Sequence, residues 1–333
     1  MLPHALKKGD TIGLFSPSGP ISATVPVRYE RGRDYLVSKG YKVREGKLTG
    51  KSDHYRSGSI KERAEELNEL IRDPEVRCIM STIGGYNSNS LLPYIDYGAL
   101  IKDPKIIVGY SDVTAILLGI YERTGLLTFY GPAAAASFGE FPPLVDETWS
   151  YFSCIAEGKA QIPHVFPTPE AWTDEMIDWK IQDRAKNVHP NELITVRGGK
   201  ATGRLIAGNL NTMDGIFGTI YMPEFKKGDI LLIEDTSLPP AVIERSFSHL
   251  KLIGAFEKIG GLILGKHENW KDQGTGRRPY EILEEVMGDT DIPFLAEFDC
   301  CHTHPMLTLP IGAKVTLDAT NKALALEEAC SLP

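Results

Sequence analysis

Short apolar runs alternate with stretches of helical spacing through the first 130 residues, and this alternation narrows the possible folds more than any other feature of the chain. Thr11–Phe15, Tyr41–Val43, Val76–Ser81, Lys105–Val108 and Leu127–Tyr130 read as strands. Val27–Ser38, Ile60–Ile71 and Val113–Tyr121 read as the helices between them. In the second helix Ala64, Leu67, Leu70 and Ile71 recur on one face, with the charges on the other. Short buried strands separated by helices imply an α/β fold with a largely parallel sheet covered by helices. Residues that act on a ligand are then expected beyond the carboxyl ends of the strands.

The texture changes near Gly158. Residues 163–191 hold scattered prolines, Trp172, Trp179 and many acidic groups with little periodicity, which fits either an inter-domain connection with a substrate-facing flap or an ordinary surface loop with two packed tryptophans. Gly198-Gly199-Lys200 opens a second part in which Asp229–Ile233 reads as a strand, Val242–Phe256 as a helix and Gly261–Leu264 as a strand. Val315–Leu317 is expected to close this smaller α/β or β-rich unit. The expected domains are thus 1–160, a linker and flap over 161–195, and a C-terminal domain over 196–333.

A net charge of -8, and no Lys/Arg stripe interleaved with aromatic residues, argue against a nucleic-acid polymer or an acidic membrane as partner. Apolar runs such as Leu262-Ile263-Leu264 are far too short to span a bilayer, and Met1–Asp10 lacks the apolar core of a secretory signal. Cys78, Cys154, Cys300, Cys301 and Cys330 are odd in number and dispersed, which suits a reducing compartment and makes the cytoplasm the expected location.

Within the α/β part, Gly109-Tyr110-Ser111-Asp112 follows the Lys105–Val108 strand and precedes a helix. A strand, sharp turn and helix can expose a serine oxygen while aiming backbone N–H groups at a developing oxyanion. Val113 replaces the last glycine of the G-x-S-x-G elbow, and Ser111 could equally cap the helix unless Asp112 does so. Glu234, at the end of Ile230–Ile233, and His302 fall at comparable places later in the chain, with Asp235 the rival carboxylate. Together Ser111, His302 and Glu234 would make a nucleophile, base and orienting acid. Ile83–Ser90 offers small residues and amides able to cradle an oxyanion or carboxylate. No G-x-G-x-x-G or G-x-x-x-x-G-K-[ST] motif occurs, so dinucleotide and nucleoside-triphosphate chemistry lack their signatures. Cys300-Cys301-His302-Thr303-His304 matches no standard zinc spacing, and a core role for the cysteines is favoured over metal binding or nucleophilic attack.

These residues in this order resemble the LD-carboxypeptidase family, peptidase family S66, and within it the microcin C self-immunity branch. The marks are Ser16-Pro17-Ser18-Gly19, Gly84–Asn89, Gly109–Thr114, Gly203-Arg204-Leu205, Gly208-Asn209-Leu210, Leu232–Asp235 and His302–Gly312. The resemblance implies an N-terminal Rossmann-like parallel-sheet domain, a smaller C-terminal swivelling β/α domain and a homodimer. It further implies a serine peptidase without cofactor or metal, with catalytic residues Ser111, Glu234 and His302 rather than His304. Its oxyanion hole would be the backbone groups of Gly85 and Asp112. Cys301 departs from the glycine that family members commonly carry before the histidine. In the immunity branch, aromatic residues of the flap meet a nucleobase. Trp172 and Trp179 are therefore expected to bind substrate. Asn209 is also a candidate for substrate binding and Arg204 for shaping the pocket, although for both the residues alone favour a capping or salt-bridge role. The expected substrate is an aminoacyl-nucleotide compound cut at its amide. The alternatives are a murein peptide losing terminal D-alanine, or a non-catalytic two-domain protein binding a small ligand.

Overall fold

The computed structural model describes residues 1–333. Its first sheet runs in the order 42–45, 11–15, 76–81, 106–109, 128–130, all parallel. Leu309–Ile311 adds a sixth, antiparallel edge strand, pairing Leu309 with Tyr130 and Ile311 with Thr128. The four strands from 11–15 to 128–130 are buried on both faces, as their apolar composition requires, whereas the edge strand Lys42–Glu45 is polar and largely exposed. The helix Ile60–Arg72 is typical of the cover: Ser59 and Glu62 form a capping box, and Ala64, Leu67, Leu70 and Ile71 are buried against the sheet. Strand order reverses between Thr11–Phe15 and Val76–Ser81, and such a reversal opens a crevice beyond the strand ends.

A second sheet of eight strands has a parallel centre made by 205–209, 230–234, 261–265 and 294–298. Lys200–Asn209 serves two partners. Its first half pairs antiparallel with Lys314–Asp318, and its second half pairs parallel with Ile230–Glu234. The carboxyl ends of both sheets converge on one cleft, and one continuous apolar core runs through both. Residues 163–191 contain only two-residue strands. Ala171–Trp172 pairs with His189–Pro190, and the loop between them reaches the cleft. No helix is long and apolar enough to cross a membrane.

Candidate active site

Ser111 stands one residue beyond the strand Ile106–Gly109 and opens a 3₁₀ turn leading into the helix Thr114–Thr124. Its φ of 60° lies in the left-handed region, which costs a residue with a Cβ of order 1–3 kcal/mol and holds its side chain out of the helix. Ser111 makes no capping hydrogen bond. Asp112 does not cap this helix either. Its buried carboxylate accepts the Ser18 hydroxyl at 2.5 Å and the Ser88 and Asn87 amides at 2.9 and 3.1 Å. These bonds tie the loop after Val76–Ser81 to the serine turn. Gly84 lies so close that an added Cβ would stand 2.9 Å from Ser111 Cβ. Gly85 has a φ of 152° and lies against Ser18, a position only glycine fills without strain. Its N–H has no acceptor within the protein. The N–H of Asp112, in the first turn of a helix, has no intrahelical acceptor. Two amides are thus left free beside the serine.

The second sheet supplies the acid and the imidazole. Glu234 ends the strand Ile230–Glu234 in register with Asn209, and is 1% exposed. His302 lies in the loop after Phe294–Phe298, and its Nδ1 donates to Glu234 Oε2 at 2.6 Å. Asp235, the rival, has no bond to the imidazole. Asn209 Nδ2 instead bridges the two acids, reaching Glu234 Oε1 at 3.1 Å and Asp235 Oδ1 at 3.0 Å. Burial acts to lower the His302 pKa, but the Glu234 charge and hydrogen bond outweigh it and raise it to about 9. Burial likewise acts to raise Glu234, yet His302, Tyr130 and Asn209 hold it below the ordinary carboxylate value. For Asp235 burial and the neighbouring Glu234 charge act together and push the pKa well up.

Tyr130 joins the two halves. Its hydroxyl donates to Glu234 Oε1 at 2.6 Å and accepts the Ser111 N–H at 3.2 Å. Sequence reasoning missed this residue, although its place at the end of the strand Thr128–Tyr130, just before Gly131-Pro132, was a usable signal. Tyr110 packs edge-on to the His302 ring at 5.0 Å. Ser111 and His302 line the same cleft of about 360 Å³. Their own hydrogen bond is not formed, and bonds of this kind often close only around substrate. The arrangement can activate a hydroxyl next to two amides that would hold an oxyanion.

Residues 12–131 match the family model for the LD-carboxypeptidase N-terminal domain, and residues 202–317 match that for the C-terminal domain. The chain belongs to the LD-carboxypeptidase family, peptidase family S66. The two matched regions are its two α/β domains, and as a member it is a serine hydrolase. Within S66 it groups with the microcin C self-immunity branch. It is 53% identical over 330 residues to the microcin C7 self-immunity protein MccF of Escherichia coli, covering 98% of this chain and 96% of that one. A Vibrio cholerae protein named as a carboxypeptidase is 58% identical, covering 97% of each chain. The solved structure of MccF with aspartyl sulfamoyl adenosine matches with a TM-score of 0.97 at 52% identity, covering 100% of both chains. MccF has also been solved with glutamyl sulfamoyl guanosine.

The placement of Trp172 departs from expectation, whereas Asn209 and Arg204 take the capping and salt-bridge roles that their residue types favoured. Trp172 does not face the cleft. The short hairpin turns its ring onto His189, 5.5 Å between centroids, and into a separate cavity shared with His267 and Trp270. Trp179 does line the cleft, with the Arg28 guanidinium 4.1 Å from its ring centroid. Asn209 borders the cleft, but its amide is spent on the two acids and its oxygen caps Leu210–Asp214 by accepting the Thr212 N–H. It therefore holds the carboxylates and has no donor left for a ligand. Arg204 pairs with Asp229 at 2.6 Å, away from the cleft lining. Cys300 and Cys301 are buried, with their sulfurs on backbone carbonyls, and burial pushes the Cys301 thiol up to about 12. Neither is poised as a nucleophile.

Proposed function

We propose that this protein is a serine peptidase or amidase that hydrolyses the amide of aminoacyl-nucleotide compounds of the microcin C type. Ser111 attacks the carbonyl carbon while its proton passes to Nε2 of His302. The Glu234 carboxylate keeps the other imidazole proton on Nδ1 and stabilises the cation. The Gly85 and Asp112 N–H groups hold the oxyanion. Collapse breaks the C–N bond, His302 returns the proton to the leaving nitrogen, and an acyl ester remains on Ser111. Water, losing a proton to His302, then cleaves that ester and releases the amino acid. The observation that carries this reading is the 2.6 Å Glu234–His302 bond at a cleft that Ser111 enters with its left-handed backbone.

Trp179 is the aromatic plane for the nucleobase, a stacking contact of about 1–3 kcal/mol. The ligands with which MccF has been solved favour this substrate class. We read the N-terminal part, 1–160, as Rossmann-like and 196–333 as the swivelling domain, with 161–195 as linker and flap. Leu309–Ile311 crosses back into the first sheet. Ser111→Ala should abolish nearly all turnover of aspartyl sulfamoyl adenosine and leave the melting temperature almost unchanged. Full activity in that variant rejects the mechanism. Faster cleavage of an L,D-tetrapeptide than of the sulfamoyl nucleoside by the native enzyme rejects the substrate class.

A further inference from the structure

The flap brings one more charged group to the cleft. Lys186 lines it with a side chain only 3% exposed, and no other lysine or arginine does. Its Nζ lies 3.5 Å from Glu140 Oε2, too long for a full hydrogen bond, and meets no other acceptor in the protein. That carboxylate is already in use. Oε2 takes Arg28 Nη2 at 3.1 Å, while Oε1 takes the Phe141 N–H at 3.0 Å and the Gln182 amide. Two buried cations therefore share one anion, which leaves this wall with net positive charge and an ammonium with donors to spare. His304 lines the cleft too, and its buried Nδ1 has no hydrogen-bond partner. A reciprocal pair of backbone bonds with Thr173, 2.8 and 3.1 Å, pins His304 to the base of the flap. Burial and the Lys186 charge push its pKa down to about 3, so the ring is neutral and can donate one N–H. Buried polar groups are rarely left unpaired without a reason, and here two stand on one wall of a substrate cleft.

We propose that Lys186, with His304 beside it, binds an anionic oxygen of the substrate. The other carboxyl groups on the cleft, Asp235 and Glu268, offer no positive charge to such an oxygen. Resting on the substrate class proposed above, the anion is the side-chain carboxylate of an acidic aminoacyl group or the ionised sulfamate or phosphoramidate link. Lys186 is then a specificity residue that acts on binding, apart from the proton-transferring groups.

The test uses the full-length chain carrying Ser111→Ala, so that binding is read without hydrolysis. Aspartyl and alanyl sulfamoyl adenosine are titrated by calorimetry against this protein with Lys186 intact, as Lys186→Met and as Lys186→Arg. Loss of one charge-assisted contact should weaken the aspartyl ligand by about 10- to 100-fold in the methionine variant, with partial recovery in the arginine variant. A loss confined to the aspartyl ligand assigns the side-chain carboxylate, and an equal loss for both assigns the linking anion. Rising ionic strength should weaken binding to the lysine protein more than to the methionine variant, which a merely structural lysine would not produce. Equal affinities for all three proteins, or no binding of either ligand, overturns the proposal. If Lys186→Met unfolds, the comparison of lysine with arginine and the salt dependence still decide it. Absence of hydrolysis by the native serine enzyme would sink the function proposed above while leaving this binding result standing.

Discussion

Replacing Glu234 with glutamine exchanges one oxygen for an amide at nearly constant volume, and two opposed effects follow. The side-chain oxygen can still accept from Tyr130 and Asn209, which now bond Oε1, so the amide group must face His302. His302 then accepts at Nδ1 and carries its proton on Nε2, the atom that has to receive the Ser111 proton. A wrong tautomer of this kind costs about 10⁴-fold in rate. The substitution also removes the charge that raises His302 to about 9, leaving burial, the largest influence on this ring, to lower it. At pH 6 the native enzyme has only about 10⁻³ of its His302 neutral, whereas the variant has a large share. The deficit in kcat/KM should therefore shrink from about 10⁴-fold near pH 9 to roughly 10-fold near pH 6. Initial rates on aspartyl sulfamoyl adenosine across that range give both profiles, with kcat/KM reporting the free enzyme. A deficit of equal size at both ends, or an acid limb at the same midpoint in the two proteins, would refute the coupling of Glu234 to His302.

Gly84→Ala places a methyl 3.0 Å from Ser111 Oγ and 3.1 Å from Asp112 N, displacing both nucleophile and oxyanion donor. It should lower kcat by at least about 10²-fold with a nearly native melting curve, and a native kcat would contradict the close approach. Tyr130→Phe takes a donor from a buried carboxylate and an acceptor from the Ser111 N–H. About 1–3 kcal/mol of stability should be lost in urea unfolding, and an unchanged midpoint argues against that link. Trp179→Ala should weaken AMP binding by about 10- to 100-fold while Trp172→Ala leaves it unchanged. Similar losses in both variants would mean that the two rings share one face of the flap.

Much of the first sheet was legible because its inner strands are apolar on both faces and its helices have one apolar stripe. Thr11–Phe15 and Val76–Ser81 match their sequence readings to the residue. The central strand of the second sheet, Lys200–Asn209, was not read as a strand. Its first half is part-exposed, and glycines at 203 and 208 look like breakers. Gly208 is there because any side chain would collide with Thr114 of the nucleophile helix, a contact between distant segments that no local pattern reveals. The same limit applies in the site. Ser111 follows and Glu234 ends a strand readable in the sequence, and His302 stands out by its place before the Leu-Thr-Leu-Pro-Ile-Gly tail, whereas the bridging role of Tyr130 and the half-paired state of Lys186 exist only once the sheets meet. Trp172 and Trp179 are alike in sequence context, and only the pairing of 171–172 with 189–190 separates them.

The edge strand Leu309–Ile311 bears on how the protein is made. During synthesis the Thr128–Tyr130 margin stays open until residues 309–311 have left the ribosome, and Leu332 then returns to bond Ala5 and Pro3. An N-terminal fragment would expose a bare strand edge, the feature that invites aggregation. Leu309–Ile311 closes that edge, and the segment that reaches it also brings His302 to the cleft that Ser111 lines.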